Sequence, residues 1–101
     1  MNNELDVKFL PDEVLEFKID EYTIKAKRAV GTNFINVGDL AKYLGLTIKE
    51  LSEILYDEAG YSHVKAYNYV ATSVLKCFDD KKYDDFIWTI INNIIPYLEN
   101  N

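Results

Sequence analysis

The sequence predicts an α+β, mostly α domain: an N-terminal β-hairpin, two short helices meeting at a glycine corner, and a C-terminal helical hairpin. Three observations carry this expectation. Apolar and polar residues alternate from Val14 to Val30, the period of a half-buried strand. Leu40, Leu44, Leu51 and Ile54 recur at helical spacing around Gly45. From Val64 to Leu98 the apolar residues follow three- and four-residue steps, with a break at Asp79-Asp80.

The elements follow in order. Residues 1–12 read as a flexible tail that docks through Phe9 and Leu10, and residues 13–101 as a single domain. In the hairpin, Leu15, Phe17 and Ile19 face one way, as do Tyr22, Ile24 and Ala26 after the turn. Glu16, Lys18, Lys25 and Lys27 form the solvated face. Asp20-Glu21 lacks the glycine of a tight primed turn, which predicts a loop longer than two residues. Gly31-Thr32-Asn33 reads as a second turn, and Phe34 to Val37 as a short third strand.

The stretch Val37–Leu55 is the organising element. Gly45 sits where a left-handed C-cap ends a first short helix. Thr47 offers an N-cap hydroxyl and Glu50, three residues on, completes a capping box for a second helix. Ala41 is small where the two helices approach, and Leu46 plugs the corner. Gly60 reads as the end of the second helix and Ser62 as the N-cap of a third, long one bearing Val64, Tyr67, Ala71, Val74 and Phe78. A last helix carries Phe86, Ile87, Ile90, Ile91, Ile94 and Leu98, with Pro96 expected to kink or end it.

With 49% of its residues apolar and 14% aromatic, the chain is too rich for disorder. A single cysteine, Cys77, excludes an internal disulfide framework and fits a reducing, cytoplasmic setting. The start lacks a signal-peptide pattern, and Phe86 to Leu98 is too short to span a bilayer. His63 is the only histidine, no glycine-rich phosphate loop exists, and the aspartates at 79, 80, 84 and 85 lack an ion-binding loop spacing. These features predict a non-enzyme with no cofactor and no metal.

The net charge of −6 argues against indiscriminate nucleic-acid binding. Its distribution is uneven. Residues 21–49 hold Lys25, Lys27, Arg28, Lys42 and Lys49 against only Glu21 and Asp39, whereas both flanking parts are acidic.

Over residues 37–56 the two-helix pattern resembles the helix-turn-helix superfamily. The lead-in Gly31-Thr32-Asn33-Phe34-Ile35-Asn36-Val37-Gly38-Asp39-Leu40 is similar to that of phage KilA-N and Bro-N domains. The N-terminal module of bacterial translation initiation factor two looks similar as well. The resemblance implies that the second helix faces a macromolecule. A DNA reader would place Thr47, Ile48, Lys49 and Ser52 in the major groove, with Lys42, Lys25, Lys27 and Arg28 on the phosphates. Glu50 and Glu53, and the lack of any arginine on that helix, weigh against it.

Two readings follow, a leading one and its alternative. The first is a small dimeric DNA-binding regulator of transcription, of phage or mobile-element type. The other is an acidic protein–protein interaction module, such as a phage assembly chaperone or an inhibitor of a host protein. Phe86, Ile87, Ile90, Ile91 and Ile94 are the expected homodimer seam, their plain alternative being the domain's own core.

Overall fold

The computed structural model describes residues 6–59 and 65–100, with side chains of residues 56–59 left aside. The expected hairpin is instead part of a five-stranded antiparallel sheet, in the order β1-β2-β3-β4-β5. Its strands are β1 (Asp6–Phe9), β2 (Leu15–Ile19), β3 (Tyr22–Ala29), β4 (Thr32–Asn36) and β5 (Tyr69–Ala71). Helices α1 (Val37–Leu44) and α2 (Ile48–Ala59) follow β4. Two short 3₁₀ turns, Thr72–Cys77 and Lys81–Tyr83, lead to a helical rod made of α3 (Asp84–Thr89), a π-helical segment (Ile90–Ile94) and α4 (Ile95–Glu99). The domain is α+β, and the "mostly α" expectation with a C-terminal helical hairpin is corrected.

Two misread segments account for the difference. Asp6–Phe9, placed by the sequence in a tail, pairs along β2 from Asp6↔Lys18 to Phe9↔Leu15. Residues 69–71, placed in a long helix, pair with β4 through Phe34↔Ala71, Ile35↔Val70 and Asn36↔Tyr69. Val70, Val74, Leu75 and Phe78 are buried as the apolar stripe required. A strand followed by a 3₁₀ turn buries them just as well, and it also satisfies the open edge of β4. The caps expected at Gly60 and Ser62 lie outside the described residues, as does Val64.

The β2–β3 turn is tight. Ile19 pairs with Tyr22, so Asp20 and Glu21 alone form the loop. Asp20 takes φ +56°, a left-handed conformation that aspartate tolerates better than most residues. The longer loop expected there is therefore corrected.

One face of the sheet carries the core. Leu15, Phe17, Ile24, Ala26 and Ile35 are buried together with Val37, Leu40, Leu44, Leu51, Leu55, Ile90, Ile94 and Leu98. Phe17 meets Tyr97 edge-on at 5.6 Å, and Tyr43 bridges Tyr22 and Phe86 at 5.3 and 5.1 Å. Strand alternation sends Lys18, Lys25, Lys27 and Phe34 to the opposite face.

Pro96 does not end the last helix. It has no N–H to donate, and its ring crowds the preceding turn. The chain answers by widening just before it: the Ile95 amide donates to the Ile90 carbonyl, a five-residue step. Asn92 and Asn93 then donate their side-chain amides to the Trp88 and Thr89 carbonyls at 2.8 and 2.9 Å. Among the described residues, no helix is long and apolar enough to cross a membrane.

Candidate functional site: a cleft at the glycine corner

Local chemistry builds the corner. The Asn36 side chain accepts from the Asp39 amide at 3.0 Å, capping α1. Gly45 ends that helix at φ +75°, and the Leu46 amide donates back to the Ala41 carbonyl at 2.8 Å. The Thr47 hydroxyl then accepts from the Glu50 amide at 3.1 Å, while Glu50 Oε1 accepts from the Thr47 amide at 2.9 Å. The Thr47 backbone amide first, and the Thr47 side chain second, hold the Glu50 carboxyl below the usual glutamate range.

Beside this corner lies an open cleft of about 640 Å³. Its walls include Gly38, Ala41, Leu46, Ile48, Ala66 and Tyr67, with Lys25, Asp39 and Lys42 at the rim. The segment 65–68 is drawn against α1 by two backbone bonds, Val37 N–H to Asn68 O (2.8 Å) and Gly38 N–H to Ala66 O (2.9 Å). Tyr67 remains 71% exposed, and Lys65 Nζ stands 5.9 Å from its ring centroid.

Of the eight residues expected on nucleic acid, Lys25, Lys42, Thr47 and Ile48 line this one cleft, whereas Arg28 lies on the other face of the sheet. Lys25 is tied to Asp39, whose carboxylate accepts from Lys25 Nζ at 2.8 Å and from its backbone amide at 2.9 Å. Lys27 lies over the Tyr69 ring at 4.7 Å. Arg28 shares the helix-covered side of β3 with Ile24 and Ala26. There its guanidinium donates to Asn33 at 2.7 Å, and Asn33 donates to Glu99 at 3.1 Å. Thr47 is engaged in the cap, and the Ser52 hydroxyl donates to the Ile48 carbonyl at 2.8 Å. Ile48 is half-buried against the core. Lys42 and Lys49 are exposed.

The seam residues also divide. Ile90 and Ile94 are fully buried in the domain's own core, and Phe86 packs on Tyr43. Ile91 remains 46% exposed beside Trp88 at 63%. Ile87, Ile91 and Ile95 line a second groove against Leu75 and Lys76.

Sequence reading missed Asn36, Gly38, Asp39, Ala66 and Tyr67 as one unit. Part of the signal was present. Asn36 followed three residues later by Asp39 is a helix start, and a glycine inside the first helical turn marks a close backbone approach. Among the described residues no three His, Cys, Asp or Glu side chains converge as a metal site would require. No family model matches the chain, and no curated protein or solved structure matches it.

Proposed function

We propose that this chain is a small non-enzymatic protein-binding module that receives a segment of its partner in the cleft at the Gly45 corner. The observation that carries the reading is the exposed Tyr67 ring beside an apolar floor of Ala41, Leu46 and Ile48. Aromatic side chains with one wet edge are the usual anchors of protein interfaces. The Thr47 and Ser52 hydroxyls that a groove-reading helix would spend on bases are engaged in the cap and first turn of α2. Placing a photoreactive amino acid at Tyr67 in the full chain, inside its source cell, tests the proposal. A protein adduct formed at position 67 and not at Arg28 supports it. Equal labelling from both positions removes it.

A second reading, the DNA-binding regulator with a helix-turn-helix unit, draws support from Lys42 and Lys49. They are exposed on either side of the corner with no carboxylate partner among the described residues. Titration with duplex DNA over a salt series tests it, because phosphate contacts weaken steeply as salt rises. No binding at low salt ends that reading.

A homodimer belongs to the same proposal, through Ile87, Trp88, Ile91 and Ile95 rather than the buried Ile90 and Ile94. Its support is the apolar stripe that successive turns of the rod leave uncovered. Sedimentation equilibrium of the Ile91→Lys variant checks it: the variant should stay monomeric at concentrations where the parent chain pairs.

A further inference from the structure

We infer that the segment received by the cleft is acidic: an apolar side chain lodged against Leu46, Ile48 and Tyr67, with carboxylates beside it meeting Lys42 and Lys65. This rests on the cleft being the binding site.

Six backbone amides around the cleft are already engaged. The amides of Val37, Gly38, Gly45 and Leu46 all donate to carbonyls. The Asp39 amide goes to Asn36 and the Thr47 amide to Glu50. With those donors spent, these positions offer neither an anion cradle nor a strand edge. Recognition here falls to side chains.

The side chains are asymmetric in charge. Asp39 is the one carboxylate among the described residues lining the cleft, and Lys25 neutralises it from 2.8 Å. Glu50, just beyond Thr47, is turned to its capping bond. Lys42 lines the cleft without an acid partner among the described residues, and Lys65 stands over the Tyr67 ring. A basic segment would meet these two lysines with Asp39 already occupied. An acidic one completes them. The chain as a whole carries −6, but charges beyond the Debye length, about 8 Å at physiological salt, are largely screened. The rim decides.

The test uses the full chain and a display library of short random peptides, followed by solution affinities of the enriched sequences. All three varied positions, Lys42, Lys65 and Tyr67, are exposed, and circular dichroism confirms that each variant folds. Enrichment of peptides with an apolar residue flanked by Asp or Glu is expected. Lys42→Glu and Lys65→Glu should each weaken them about tenfold, and peptides with the acids changed to Lys should recover that loss on the Lys42→Glu chain. Peptides that lose affinity with Tyr67→Ala but are indifferent to both lysine variants overturn the acidic inference and leave the cleft reading standing. Peptides indifferent to Tyr67→Ala as well, or no retained peptide at all, overturn both.

Discussion

The Gly38 amide donates to the Ala66 carbonyl at 2.9 Å, and a Cβ built on Gly38 would lie only 2.7 Å from that same oxygen. The cleft wall therefore depends on position 38 having no side chain. Gly38→Ala must push the 65–68 segment off α1. A loss of about 1–3 kcal/mol is expected, the usual cost of overpacking, measured as a lower midpoint in urea. Chemical shifts of Tyr67 and Asn68 should move with it, whereas an unchanged midpoint would contradict the contact.

Asp39 serves Lys25 twice, once at the ammonium and once at the backbone amide. Its removal leaves a strand N–H without its acceptor, so Asp39→Ala should cost about 1–2 kcal/mol. Lys25→Met should cost less, because a partly exposed ion pair contributes only about 0–1 kcal/mol. Chemical denaturation of both variants gives the order.

Val30 sits at the β3–β4 turn with φ +52° and is fully exposed. A β-branched side chain is disfavoured in the left-handed region, and here it buries nothing in return. Val30→Asn should therefore stabilise the domain by about 1 kcal/mol, the scale of the left-handed penalty, seen as a rise in Tm.

The Thr47–Glu50 box predicts behaviour with acid. Thr47→Ala should cost about 1 kcal/mol as an N-cap loss. Glu50 has a folded-state pKa below its ordinary value because the Thr47 amide and hydroxyl favour the carboxylate. Its contribution is thus complete above the ordinary glutamate range and fades as pH falls through the depressed value. Glu50→Gln should flatten that part of the stability–pH profile.

Tyr43 predicts the alkaline limb. Burial pushes its phenol up, with the Thr89 hydrogen bond acting against that and Asp20 adding to it. A folded pKa raised above the unfolded value means the contribution is intact below the ordinary tyrosine range. It is lost as pH rises through the folded value, where native Tyr43 still holds the proton that the unfolded chain releases. Tyr43→Phe should make stability above that range fall less steeply, measured by denaturation at stepped pH.

The corner was legible because its causes are adjacent in sequence. Gly45 alone accommodates the left-handed turn cheaply, and Thr47 with Glu50 closes the cap within one helical turn. Strand parity was legible too: Arg28 shares parity with Ile24 and Ala26, which separates it from Lys25 and Lys27. The cleft itself was not, since it needs Ala66 and Tyr67 carried back against Gly38 from beyond α2.

By itself, then, the chain's order of residues determined where α1, α2 and the β2–β3 pair form, through caps, glycine and period-two alternation that act over a few residues. The tertiary structure alone decided the rest. Residues 69–71 became a strand because β4 offered an edge, and Lys25 lost its availability because Asp39, fourteen residues away, came within 2.8 Å. A backbone edge or an acceptor brought near by folding outweighs local preference, because unpaired hydrogen-bonding groups are costly to bury while helix and strand propensities differ by about 1 kcal/mol or less per residue.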